Sequence, residues 1–339
     1  MNTKIFSPKT DEHYKEIAEI LTSGGIVAIP TETVYGLAGN ALDEKCVDKI
    51  YKAKGRPSDN PLIVHISDIS QWDQLVQCVP EKARALAEKF WPGPLTVILP
   101  KSALVSDKVS GKLPTVAVRM PKNEIARKII DAAGVPLAAP SANLSGKPSP
   151  TCLKHVVDDL SGRVEAIVDG GECEMGVEST VITLATDIPR LLRPGSITAE
   201  MLCEVLDEIE IDDAVYNKLQ DGQVASSPGM KYKHYAPGAE VILVRGEFEK
   251  FRALFTENSA PDCVALCFDE EKELLGENAI SYGKKSDCAS QAKNIFSALR
   301  KVDELGYKRV YARIPDSDGV GLAVFNRLVR AAAFNIIEV

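Results

Sequence analysis

No apolar run in this chain of 339 residues approaches the roughly 20 residues that a membrane-spanning helix needs, so a membrane protein is not expected. The first residues, MNTKIFSPKTDEHY, lack the apolar core of a secretion signal, and a cytoplasmic setting is the expectation. The eight cysteines form no CxxC pair; the closest two, Cys263 and Cys267, lie in a strand-like run. They are expected to be reduced, mostly structural thiols, with no spacing that suits a structural zinc. Positive charge is not in excess: the formal net charge is -8, which argues against a generic nucleic-acid-coating protein. Internal repeats and low-complexity segments are absent. So are the phosphate-binding GxxxxGKS/T loop and a strand–GxGxxG–helix unit, so a bound nucleotide would need cations and backbone amides from elsewhere. No serine sits in a GxSxG elbow, and no cluster of His and carboxylates has metal-ligand spacing.

What the chain does have is a recurring pattern of apolar runs that break into polar, Pro/Gly-bounded turns. GGIVAIP runs into TETVYGL, TVAVR ends at Arg119, and PLAAP breaks into SANLSGKPSPT. Open α/β sheets carry their chemistry at such strand ends. Amphipathic periods ending in glycine predict helices over KEIAEILTSG, EKCVDKIYKAKG and EIARKIIDAAG. Others are expected over EKARALAEKF and ITAEMLCEVLDEIE. The strands are expected in IVAIP, LIVHI, LTVILP, VAVRM, PLAAP, AIVDGG and STVITL. Residues 1–210 therefore read as an α/β domain on a large twisted sheet. Residues 211–240 read as a linker rich in Ser, Pro and Gly, and residues 241–339 as a smaller doubly wound, Rossmann-like α/β domain. Within the linker, MKYKHYAP concentrates Tyr, Lys and His. It is expected to act as a lid on the first domain, with a solvated tether as the plainer alternative.

Four cations stand at turns or strand ends: Lys54 and Arg56 in a Gly-Arg-Pro turn, Arg119, and Arg193 in Leu-Arg-Pro-Gly. Each alone reads as a surface ion pair or a solvated turn; four beside Ser- and Gly-rich loops favour anion binding. His65 ends a strand-like run. It is either a structural residue or a holder of a substrate carboxylate or hydroxyl, titrating near neutrality. Thr31, Thr33, Ser141, Asn143, Ser145, Ser149 and Ser179 supply neutral donors and acceptors, or else cap loops and helices.

The segments PTETVYGLAGNA, AKGRPSDNPLIVHI, FWPGPLTVIL, VAVRMP, APSANLSGKPSPT, VDGG, GVESTVI and LRPGSIT occur in this order across residues 10–200. Together they resemble the YrdC-type threonylcarbamoyl-AMP synthases, and the C-terminal GVGLAVFNRLVRAAA is similar to their long two-domain form. The resemblance implies a YrdC-like twisted mixed sheet with flanking helices. It also implies a reaction of ATP, L-threonine and bicarbonate or CO2 to threonylcarbamoyl-AMP and pyrophosphate. The product would serve threonylcarbamoyl modification of the adenosine beside the anticodon of ANN-decoding tRNAs, through a downstream tRNA threonylcarbamoyl-transferase, with at most weak tRNA contact.

Carried over by position, Thr33, His65, Arg119, Ala139 and Ser179 are expected around L-threonine. Lys54, Arg56, Asn60, Thr115, Ser141, Ser149, Arg193 and Tyr235 are expected around ATP, with Lys54, Arg56, Ser141 and Asn143 closest to the chemistry. The resemblance implies Mg2+ arriving with ATP, identifies no Mg2+ ligand and requires no organic cofactor. Two rival functions share the domain: an RNA-binding module, and a carbamoyl-adenylate enzyme of hydrogenase maturation. The net acidity opposes the first, and the missing CxxC zinc fingers oppose the second.

Overall fold

The computed structural model describes residues 2–218 and 235–339. In its first part the strands are β1 (Lys4–Phe6), β2 (Val27–Ile29), β3 (Gly36–Asn40) and β4 (Ile63–His65). They continue with β5 (Leu95–Pro100), β6 (Thr115–Arg119), β7 (Leu137–Ala138) and β8 (Ala166–Val168). The last three are β9 (Thr180–Thr183), β10 (Arg190–Arg193) and β11 (Glu210–Ile211). They form one mixed sheet in the order β1-β8-β2-β3-β7-β4-β6-β5-β9-β10-β11. Parallel and antiparallel pairs alternate irregularly through it, β4 with β6 being parallel and β4 with β7 antiparallel.

The helices begin and end where local chemistry dictates. Helix Glu44–Lys54 starts on Asp43, whose carboxylate accepts from the Lys45 amide, and ends at Gly55, which is left-handed with φ 62°. The Gly55 and Arg56 amides close back onto Lys52 O and Tyr51 O, the bonding that ends a helix on a glycine. Helices Glu81–Phe90 and Glu124–Ala133 bury their apolar stripes. The helix expected over ITAEMLCEVLDEIE is only Ala199–Cys203, because the chain beyond it is drawn into β11, which pairs with β10.

The second sheet holds β12 (Glu240–Arg245), β13 (Cys263–Cys267), β14 (Ala279–Ser281), β15 (Arg309–Arg313) and β16 (Ile336–Glu338). Its order is β14-β13-β15-β12-β16, and each pair described is parallel. Helices Phe248–Glu257, Cys288–Glu304 and Val320–Ala331 flank it, so the sheet is doubly wound.

The two parts share a core. Val34, Val177, Val215 and Tyr235 pack with Phe296, Leu299, Phe325 and Leu328 of the second part. At Gly176 the backbones of the two parts leave no room for a side chain: a Cβ there would lie 2.4 Å from Ala292 O and from the Lys293 Cα. Among the described residues no helix is long and apolar enough to cross a membrane.

Candidate active site

A cavity opens where the parallel strands β4 and β6 end side by side. His65 and Arg119 are register partners on these strands, so the sheet itself brings them together. The lining also includes Thr31, Thr33, Val34, Gly36, Arg56, Ile63, Ala139, Pro140, Ser141, Asn143, Glu178, Ser179, Arg193 and Tyr235. Ten residues expected from the sequence thus share one cavity: Thr33, Arg56, His65, Arg119, Ala139, Ser141, Asn143, Ser179, Arg193 and Tyr235. Lys54, Asn60, Thr115 and Ser149 do not line it. Of the MKYKHYAP segment, residues 230–234 lie outside the described residues. Tyr235 is buried and left-handed (φ 63°), and the Ala236 amide bonds to Gly146 O.

Arg119 is buried with its guanidinium divided among three acceptors. Nε donates to Gly93 O at 3.2 Å, Nη1 to Thr33 Oγ1 at 2.8 Å and Nη2 to Glu32 Oε1 at 2.6 Å. Burial, the largest effect on Glu32, pushes its carboxyl up; the Arg119 charge and hydrogen bond outweigh it and hold the group below its usual range. Thr31 Oγ1 donates to Val34 O at 2.6 Å, so in the 2.8 Å contact between Thr31 and Thr33 the Thr33 hydroxyl is the donor. Thr33 therefore offers a ligand a lone pair and no proton.

His65 departs from the expectation that it titrates near neutrality. Burial, then the Arg119 charge, pushes its ring down to about 3, so it is neutral at physiological pH. Its buried Nδ1 has no partner among the described residues.

On the anion-binding side, Arg193 donates through Nε to Ser179 O at 3.0 Å and through Nη2 to Ser179 Oγ at 3.1 Å. Arg56 donates through Nη2 to Pro61 O at 3.0 Å. Both guanidiniums line the cavity with Nη1 unpartnered among the described residues. Lys54 is arranged differently. Its buried ammonium donates to Ser141 O at 2.5 Å and Asn143 O at 2.6 Å, beneath the loop that follows β7. Burial, reinforced by the Arg56 charge, pushes Lys54 well below its ordinary range. Ser141 Oγ donates to Asn143 Oδ1 at 2.5 Å, and Asn143 Nδ2 donates to Leu144 O and Lys147 O, which closes the loop on itself. Ser149 donates to the Glu178 carboxylate. Asn60 is buried with neither amide atom partnered among the described residues.

Sequence reasoning missed Glu32 and Glu178, the two buried carboxylates of the lining or its first support. Each is paired with an arginine, Glu178 with Arg327 at 2.7 Å. Among the described residues no group of three or more His, Cys, Asp or Glu could hold a metal ion.

Comparison with known proteins adds findings of three kinds. A family model described as "Telomere recombination" (Sua5, YciO and YrdC) matches residues 19–195. One described as "Threonylcarbamoyl-AMP synthase, C-terminal domain" matches residues 197–333. The chain is 49% identical to the threonylcarbamoyl-AMP synthase of Pyrococcus abyssi, over 95% of this chain and 94% of that one. It is 46% identical to the Bacillus subtilis protein of the same name, over 97% and 95%. The crystal structure of P. abyssi Sua5 complexed with L-threonine superposes with a TM-score of 0.91, at 44% identity and over 100% of both chains.

Proposed function

The chain belongs to the Sua5/YrdC family of threonylcarbamoyl-AMP synthases, and from that membership we propose that it makes threonylcarbamoyl-AMP and pyrophosphate from L-threonine, bicarbonate or CO2, and ATP. The observation that carries this reading is the shared cavity, in which a neutral histidine and a carboxylate-paired arginine meet two further arginines that each keep a donor for an anion.

In the reaction, the threonine amine bonds to the carbon of CO2 and loses a proton, giving a carbamate. A carbamate oxygen then bonds to the α-phosphorus of ATP, the α–β bridging P–O bond breaks, and pyrophosphate leaves. Nucleophile and electrophile are both anionic, so the site must lower their repulsion and hold them in line. Arg119, fixed by Glu32, is assigned to the threonine carboxylate. Thr33 accepts from the ammonium or hydroxyl, and Ser179, Ala139 and the neutral His65 ring complete that side. Arg56 and Arg193 are assigned to the phosphates, with Ser141, Asn143 and Tyr235 beside them. Lys54 acts from behind by holding the Ser141–Asn143 loop. The buried His65 Nδ1, which lines the cavity and has no partner among the described residues, supports a bound ligand, because buried polar groups seldom go without partners. Ser149 and Thr115 enter this reading as second-line supports of the nucleotide.

The described residues offer Mg2+ no protein cage, so the ion is assigned to ATP as part of the substrate. The labile product would pass, in the cytoplasm, to a tRNA threonylcarbamoyl-transferase. Incubating the full chain with ATP, bicarbonate and L-threonine should release pyrophosphate and yield an adenylate carrying threonine, with each of the three required. Equal release without threonine would overturn the assignment.

A further inference from the structure

Arg327 lies in helix Val320–Ala331 of the second domain, outside every expected site position, and is fully buried. Its guanidinium reaches across the domain boundary and touches three segments of the cavity wall. Nε donates to Glu178 Oε2 at 2.7 Å. Nη1 donates to Pro194 O at 3.0 Å, next to Arg193. Its Cζ lies 5.5 Å from the centroid of the Tyr235 ring, which in turn lies 5.2 Å, centroid to centroid, from the Phe296 ring. Glu178, Arg193 and Tyr235 all line the cavity. The second Glu178 oxygen accepts from Ser149, so the same guanidinium also bears on the loop that carries Ser141 and Asn143.

We infer that Arg327 is a positioning residue for the nucleotide side of the site: it sets the Arg193 turn, the Tyr235 ring and the Glu178–Ser149 contact relative to one another. The inference rests on the synthase reading above. The chemistry requires arginine in particular. A guanidinium fork can bond a carboxylate with one nitrogen and a carbonyl with another while its delocalised charge stays within cation–π reach of an aromatic ring. A lysine ammonium can neutralise Glu178 but cannot do all three.

The alternative is that Arg327 serves only to neutralise a buried carboxylate, which any cation there would do. The variants R327K and R327M separate the two, with K154A as a control that breaks the exposed Lys154–Glu304 bridge between the same domains. Thermal midpoints are measured with the ATP KM, threonine KM and kcat for pyrophosphate release. R327K should recover most of the thermal midpoint that R327M loses. It should still raise the ATP KM about tenfold, well beyond any change in the threonine KM. K154A should match the unmodified protein. An R327K protein whose ATP KM stays within about twofold of the unmodified value overturns the inference, as does an equal rise in both KM values. If R327M does not fold, R327K alone decides. Absence of threonine-dependent turnover in the unmodified protein overturns the synthase reading and this inference with it. Normal turnover with unaffected variants overturns the inference alone.

Discussion

At the residue scale, His65 shows how burial sets chemistry. In an unfolded chain its ring takes up a proton near its ordinary pKa of about 6.5; in the folded protein it is pushed down to about 3. The folded pKa is depressed, so on acidification the unfolded state gains a proton that the folded state refuses. The stability linked to His65 is therefore complete above about pH 6.5 and is lost as pH falls towards 3. His155, pushed down to about 4 chiefly by burial, acts in the same window. The urea midpoint should drop between about pH 7 and about pH 5, and His65→Asn should show a smaller drop. An unchanged drop in the variant would mean that the folded ring takes up its proton as readily as the unfolded one. Arg119, Arg56 and Arg193 were visible in the sequence because each sits at a strand end or a Pro-bounded turn. Glu32 and Glu178 were not: their arginine partners are 87 and 149 positions away. A carboxylate within PTET or GVEST has nothing local to mark it as buried.

At the scale of elements, helices were legible from their apolar periods, and their ends most sharply where a cap and a glycine marked them. Helix Glu44–Lys54, with its Asp43 cap and Gly55 stop, falls where its sequence pattern puts it. Strand β3 was not legible, because GLAGN is small and glycine-rich and becomes a strand only between β2 and β7. The same helix end explains an expectation that the structure reshapes. Lys54 and Arg56 read alike as phosphate cations, but the left-handed Gly55 between them sends Arg56 to the cavity and leaves Lys54 under the loop. Lys54→Met should remove two ammonium-to-carbonyl bonds and loosen residues 141–147. Stability should fall by about 1–3 kcal/mol, and pyrophosphate release by about tenfold or more, with helix content retained. Circular dichroism and turnover check this, and turnover equal to the unmodified protein would show that the loop holds itself.

For the molecule as a whole, the domain contact is too close for any side chain at Gly176. Its φ of 77° is left-handed, and a Cβ there would sit 2.4 Å from backbone atoms of helix Cys288–Glu304. Gly176→Ala must therefore shift that helix. The expected cost is about 1–3 kcal/mol in unfolding experiments, with turnover lowered as well, because the same helix face carries Phe296 beneath Tyr235. A variant with unchanged stability and turnover would show that the domains tolerate separation there.

The Glu178–Arg327 pair also has a consequence in time. Ribosomes deliver a chain from its N-terminus at about 5–20 residues per second, so the 149 positions between the two residues take roughly 7–30 s to make. For that interval the nascent first domain holds an acid whose ion-pair partner does not yet exist, and the Arg193 charge and the Ser149 hydroxyl must hold it without the direct bond to Arg327. Thr31 and Thr33, among the earliest residues synthesised, must wait for one of the latest helices before the pocket around them can take its final shape.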